Sequence, residues 1–334
     1  MLKISDNLLA AAINPERGAE IVQIFRQDDG VNALAYGDWR SPVPAGGVTS
    51  YYDPTFDWLS GYRGGWQETL PNAGLASELD GMPLPLHGEG SVIPWRIVEA
   101  GSSFCLLETD LRPTLRARRR LAIRDAVLHV ESEVTNTGLM AVPMVWGHHP
   151  AFAANSETLL HLPPTSYSVE ETQRDGLDLE SGTWPAASTC SGKDVNLSRF
   201  GSDAGQRLVY CSGHSDGWAV IRQGTALPHI AMSWDAEAYP AIWVWQNRRE
   251  RGFPWFGRLE CLGVEPQRAW PFDGLAGARS RGQELIVPPG KTVTSWVTLS
   301  LPRALPDEIV GVDRSGQVLG SPASPEAPET DKQT

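Results

Sequence analysis

Val127-Leu-His-Val-Glu-Ser-Glu-Val-Thr-Asn136 is the stretch on which the fold class turns. Leu128, Val130, Ser132 and Val134 fall on one face of an extended chain, and His129, Glu131, Glu133 and Thr135 on the other. That period of two is the signature of a strand with one buried and one wetted face. The stretch before it repeats the pattern. Leu115, Ala117, Arg119, Leu121 and Ile123 alternate with Arg116, Arg118 and Arg120, and Arg124-Asp125 supplies a turn, so the two runs read as a hairpin. The arginine run could form an anion patch, but it reads more simply as a solvated strand face opposite the acids of its neighbour.

Further strands follow outward from this hairpin. They are expected at Leu8–Ile13, Glu20–Phe25, Phe104–Thr109, Arg207–Cys211, Trp218–Arg222, His229–Trp234, Ala241–Gln246, Gly263–Glu265, Leu285–Val287 and Thr292–Leu301. No long 3.6-residue amphipathic pattern and no short repeat interrupts them. The 33 glycines and 26 prolines are spread along the chain, as many short strands and turns require. The expectation is an all-β chain with a single large antiparallel β-sandwich over residues 1–304. Beyond residue 305 apolar periodicity is lost and Ser-Pro-Ala-Ser-Pro-Glu follows from Ser321, so 305–334 reads as an extended, disordered tail whose removal leaves folding unchanged. Two long stretches carry little pattern. Glu157–Gly205 is polar and turn-rich with short strands at most. Asp38–Gly90 is rich in Gly, Pro, Trp and Tyr, and so long a structureless segment implies a purpose. Its Trp58, Tyr62 and Trp66 are flat surfaces that either stack on sugars or build a satellite core.

Composition narrows the function classes. Of 334 residues, 41% are hydrophobic, enough for a sizeable core, and the net charge is −12. A nucleic-acid binder needs a basic footprint, so that class is not expected. Cys105, Cys190, Cys211 and Cys261 are widely spaced with no Cys-x-x-Cys, which signals neither zinc nor a disulfide framework. The N-terminal Met-Leu-Lys-Ile-Ser-Asp has no secretory pattern, and no apolar run reaches the length of a membrane span. A soluble cytoplasmic protein with no membrane partner is the expectation.

Three polar signals stand at the ends of apolar segments: Leu84-Pro-Leu-His-Gly-Glu-Gly90, Gly147-His-His-Pro-Ala-Phe152 and Leu262-Gly-Val-Glu-Pro-Gln267. Together they supply His87, His148, His149 and Glu265. A histidine that gives a proton and a carboxylate that takes one fit general acid–base chemistry near neutral pH. Two histidines and a glutamate also fit a metal site, but the close His-x-x-x-His spacing is missing, and no metal is expected.

The order Leu-His-Gly, Gly-His-Pro-x-Phe, Glu-Pro over residues 5–302 resembles the aldose 1-epimerase (galactose mutarotase-like) family. Gly64-Gly-Trp-Gln-Glu-Thr-Leu-Pro-Asn72, Asn136-Thr-Gly138 and Pro254-Trp-Phe-Gly257 are similar to further family segments. The resemblance implies the large sandwich called a supersandwich. It also implies interconversion of the α and β anomers of a free sugar, without a cofactor. His149, with Phe152 three residues on, matches the family's central histidine; His148 does not. Glu265 matches the catalytic base and His87 the substrate-binding histidine. In the implied reaction Glu265 takes the anomeric hydroxyl proton while His149 protonates the ring oxygen. The expected sugar contacts are His87, Asn72, Trp66 and Arg248, and the partner is a small sugar bound by a monomer or homodimer.

Two departures bear on the substrate. The family arginine after the early Asn is replaced by Ala73, so that contact is either missing or supplied elsewhere, by Arg63 or Arg248, and the Glu motif reads Glu-Pro-Gln-Arg. Arg248, Arg249, Arg251 and Arg268 lie around that motif and could pair a phosphorylated or acidic sugar. A carbohydrate-binding sandwich without turnover is the non-enzymatic alternative. It has no need of a proton donor facing an acceptor.

Overall fold

The hairpin at the centre of the sequence reading forms as expected: Leu115–Arg124 pairs antiparallel with Val127–Asn136, Leu121 opposite Val130 and Arg119 opposite Ser132. A computed structural model describes residues 1–39, 54–179 and 181–321. The hairpin belongs to an eight-stranded sheet. Its order is Leu159–His161, Trp218–Arg222, Ile230–Trp234, Thr292–Ser300, Val127–Asn136, Leu115–Arg124, Phe104–Leu111 and Arg96–Ala100. A ten-stranded sheet carries Leu2–Ser5, Leu9–Asn14, Glu20–Arg26, Gly65–Thr69, Gly147–Ala153, Glu260–Gln267, Ala241–Arg248, Gly205–Ser212, Ser166–Arg174 and Gly182–Thr183, in that order. The apolar faces of both sheets contribute to one buried cluster, with Leu121, Leu128 and Val130 from the first sheet and Ile21, Trp66, Val244 and Val264 from the second.

The arginine run divides as the alternation requires. Arg116, Arg118 and Arg120 face outward and meet Asp110, Glu108 and Glu131. Arg119 faces inward with no exposed surface. Its Nη1 lies 3.3 Å from Glu68 Oε2 on the other sheet. Its Nη2 donates to the Gly18 and Ala19 carbonyls at 2.8 and 2.6 Å. Burial raises the Glu68 pKa and lowers that of Arg119, each against the pull of the other's charge.

Three expectations change. The poorly patterned stretch before Gly90 contains a helix, α1 (Pro54–Gly61), and the strand Gly65–Thr69, which lies near the middle of the ten-stranded sheet. All five residues of that strand are buried, so it leaves no alternation to read. Residues 40–53, also within that stretch, lie outside the described residues. The stretch Glu157–Gly205 contains the nine-residue strand Ser166–Arg174, near the sheet's end, exposed at four positions and too polar to be recognised.

The tail boundary at 304 also moves. Ile309–Val312 and Val318–Gly320 form a hairpin on the outer face of the eight-stranded sheet. Val312 packs with Trp218, Val220 and Ala231. Ser233 Oγ donates to the Asp313 carbonyl at 3.0 Å and Ser300 Oγ to the Gly316 carbonyl at 2.6 Å. These contacts reach residues far away in the chain, and a hairpin of three residue pairs is too short for sequence periodicity to register. The remainder of the expected tail, 322–334, lies outside the described residues.

Candidate active site

Side chains alternate along the ten-stranded sheet, and the alternation separates the two adjacent histidines. His148 points into the sandwich, where Trp66 Nε1 donates to its Nδ1 at 3.2 Å and its Nε2 meets Tyr239 Oη at 3.2 Å. His149 points to the opposite face. The pairings Gly147 with Gln267 and Ala151 with Gly263 set a register that brings His149 opposite Glu265. Trp243 stands opposite Glu265 on the next strand, and Trp245 opposite Gly263. A Cβ on Gly263 would come within 2.7 Å of Glu265 Oε1 and 3.1 Å of Trp245 Cβ, so glycine leaves the space in which the carboxyl lies. His149 Nε2 and Glu265 Oε1 are 3.6 Å apart. Glu265 Oε2 is buried and has no hydrogen-bond partner among the described residues.

His87 arrives from a turn. Its φ is +56° and that of Gly88 is +72°, and a Cβ on Gly88 would strike the Leu70 carbonyl at 2.2 Å. The Gly74 N–H donates to His87 Nδ1 at 3.3 Å, which leaves the proton of the neutral ring on Nε2. The His87 ring stands 4.9 Å from that of His149 and 4.6 Å from that of Trp58. Trp58, on α1, stacks on Tyr62, whose hydroxyl lies 3.4 Å from His149 Nδ1. Sequence reading named Trp58 and Tyr62 only as flat surfaces. It gave no site role to Trp243, Trp245, Trp255 or Gln206. Trp243 and Trp245 were findable: two residues apart on one strand, they share the face that carries Glu265 once the strand pairing is known.

These groups line a cavity of about 670 Å³ with walls that include Trp58, Tyr62, Trp243, Trp245, Trp255 and Phe272. Burial pushes the Glu265 carboxyl well above the ordinary carboxylate range, with the Gln267 side chain pulling the other way. Burial lowers His149 to about 4 and holds His87 well below 6.5, where the nearby His149 adds to the effect. Burial therefore favours the form of the Glu265–His149 pair that holds one proton, on the carboxyl, and carries no charge. Moving that proton 3.6 Å to the imidazole gives an ion pair of the same net charge. Among the described residues no group of three or more His, Cys, Asp or Glu side chains is arranged to hold a metal ion.

The structure brings His87, His149 and Glu265 together, separated though they are in the chain, and leaves the other expected contacts outside the cavity lining. Trp66 is fully buried on the sandwich side, held by His148. Asn72 is fully buried. Its Nδ2 donates to the Leu75 and Pro85 carbonyls, each at 2.9 Å, and its Oδ1 accepts from Leu275 N at 2.7 Å. It ties the His87 turn to α2 (Gly274–Ser280) and so positions the site without lining it. Arg248 is 3% exposed, paired with Asp175 and donating to the Asp203 carbonyl. Arg63 donates to the Gly37 carbonyl. Glu68 faces Arg119, and Glu89 accepts from Arg112, so neither carboxylate can stand in for Glu265.

No family model matches this chain, and no curated protein matches it in sequence. Solved structures do. A protein from Synechocystis has a TM-score of 0.66 at 17% identity, over 91% of this chain and 96% of that one. A candidate aldose 1-epimerase from Escherichia coli gives 0.64 at 18% identity, over 90% and 98%. A galactose mutarotase related enzyme from Lactobacillus acidophilus gives 0.61 at 13% identity, over 90% and 97%. The chain has the all-β sandwich fold of these galactose mutarotase-like proteins.

Proposed function

We propose that this chain is a distant member of the aldose 1-epimerase family and interconverts the α and β anomers of a neutral free aldose. The observation that carries the reading is the 3.6 Å approach of His149 Nε2 to Glu265 Oε1 on the floor of an aromatic cavity. Ring opening needs a proton removed from the anomeric hydroxyl and one delivered to the ring oxygen. Glu265 and His149 provide one acid and one base in either protonation state of equal net charge. With the proton on the imidazole, the Glu265 carboxylate takes the hydroxyl proton and His149 protonates the ring oxygen. With the proton on the carboxyl, the roles exchange. Either way the C1–ring oxygen bond breaks, the aldehyde turns about C1–C2, and the reverse transfers close the ring on the other face. His87 Nε2–H and the unpartnered Glu265 Oε2 supply a donor and an acceptor for sugar hydroxyls. The aromatic walls suit the apolar faces of the ring.

Neutrality follows from the lining. Glu171, Asp175, Glu250 and Glu265 contribute carboxyl groups, and Arg174 is the single arginine or lysine among the described lining residues. Arg248 and Arg249 are held by Asp175 and Glu260, and Arg268 donates to the Gln283 and Glu237 carbonyls. With Asp175 paired and Glu265 favoured as the neutral acid, Glu171 and Glu250 still outnumber Arg174 in the lining, which disfavours a phosphate or carboxylate there. The test is a saturation-transfer NMR screen of anomer exchange over neutral, acidic and phosphorylated aldoses. The expected result is exchange above the spontaneous rate for a neutral aldose and a weaker gain for its 6-phosphate. Preference for the phosphate would overturn the substrate class, and no acceleration for any aldose would overturn the activity.

A further inference from the structure

We propose that the cavity holds a second saccharide subsite beyond the acid–base pair, so that the preferred substrate is a reducing disaccharide or longer oligosaccharide. The inference rests on the proposed function for its reacting end. It starts from the extent of the floor. His149 and Glu265 stand on adjacent strands, but the lining continues across Ala241–Arg248 and Gly205–Ser212 to Ser166–Arg174. Four interstrand steps separate the first strand from the last, about 19 Å. A pyranose ring lying on the pair covers only about one or two of those steps. The volume tells the same story, since 670 Å³ would take about twenty waters at liquid density, well over what one hexose displaces.

The far end has the chemistry of sugar recognition. Trp255 Nε1 donates to Gln206 Oε1 at 2.7 Å, and Gln206 Nε2 donates in turn to Gln173 Oε1. This relay fixes both amides and leaves the Gln173 Nε2 hydrogens available as donors. Glu171 and Glu250 add acceptors for hydroxyl protons. Phe253 lines the same end with 48% of its surface exposed and a flat stacking geometry, its ring parallel to that of Phe56 at 5.1 Å. Oriented amides, carboxylates and an open aromatic face complement a neutral polyhydroxylated ring. An acyl or other apolar extension would strip water from the amides and carboxylates without replacing its hydrogen bonds. Epimerisation needs a free anomeric centre at His149 and Glu265, so the additional residue must be attached through a hydroxyl remote from C1.

The experiment compares kcat/KM for anomer exchange of maltose, cellobiose and lactose with that of glucose and galactose, in the full chain and in Gln173→Ala. The expected result is a kcat/KM about tenfold higher for at least one disaccharide than for either monosaccharide, with that ratio cut about fivefold in Gln173→Ala, as loss of one ligand hydrogen bond implies. Monosaccharides turned over as well as every disaccharide, or a ratio untouched by Gln173→Ala, would overturn the second subsite and leave the epimerase reading standing. Anomer exchange accelerated for none of the five sugars would overturn both.

Discussion

At the scale of single residues, the site depends on how burial moves protons. His149 sits at about 4 and Glu265 well above its usual value because the cavity floor disfavours either charge. Adding a second proton converts His149 to imidazolium beside a neutral carboxyl, and no base remains. Removing the one proton leaves no acid. The logarithm of kcat/KM, which reports the free enzyme, should therefore stay flat through pH 6.5 and turn down only near pH 4. An acid limb near 6.5 would mean that the imidazole titrates as in solution and that the floor is wetter than the structure has it. The family resemblance pointed to His149 rather than His148 because Phe152 stands three positions after it, as an aromatic residue does after the family's central histidine. Asn72, Arg248 and Trp66 were misplaced for a shared reason. A polar or aromatic side chain beside a motif looks the same in sequence whether it meets a ligand or a backbone carbonyl.

At the scale of elements, the strand Gly147–Ala153 serves both faces of its sheet. Its outward side chain His149 does the proposed chemistry. Its inward neighbour His148 forms a chain in which Trp66 Nε1 donates to Nδ1, so that the Nε2 proton goes to Tyr239 and the Tyr239 hydroxyl reaches Ser295 Oγ at 2.6 Å. Burial first, and the Arg119 charge second, lower His148 to about 3. The unfolded chain binds this proton near 6.5 and the folded chain only near 3, so the contribution is intact above 6.5 and is lost as pH falls toward 3. Replacing His148 with Gln should flatten the stability–pH curve between pH 6 and 4 by about 1.4 kcal/mol per pH unit, besides lowering stability at pH 7 by about 1–3 kcal/mol. Urea titrations at several pH values measure both, and an unchanged slope would contradict the buried neutral imidazole. Half-buried strands such as Val127–Asn136 were legible because one face is wet. Gly65–Thr69 was not, because both its faces are covered and periodicity vanishes when nothing is left for the polar positions to face.

At the scale of the whole molecule, two features tie distant parts together. Arg119 and Glu68 join the sheets through a pair buried from bulk solvent. Removing one partner, as in Arg119→Met, should cost about 3–5 kcal/mol, and the double variant with Glu68→Leu should recover much of it. A loss in the double variant equal to the sum of the two single losses, measured by denaturant unfolding, would show that the residues act independently. The hairpin after Leu305 caps the outer face of the eight-stranded sheet. Truncation after Ala304 should destabilise the protein by at least about 2 kcal/mol, the worth of burying Val312, and lower its melting temperature. An unchanged melting temperature would restore the sequence expectation that this region is dispensable. The sandwich itself was evident from alternating runs alone. The long-range pairing that brings residues 87, 149 and 265 to one cavity was reached only through motif order, since no local pattern encodes which strands become neighbours.

Proton transfer by the Glu265–His149 pair is the central step of the proposed reaction, and Glu265→Gln addresses it with the least change of shape. Gln can still bond a sugar hydroxyl but can neither take nor give the proton. Anomer exchange of the best aldose, read by saturation transfer at neutral pH, should fall about 100- to 10,000-fold in Glu265→Gln while quenching of the cavity tryptophans by the same sugar persists. Exchange at the wild-type rate in that variant would contradict the assignment of Glu265 and, with it, the proposed mechanism.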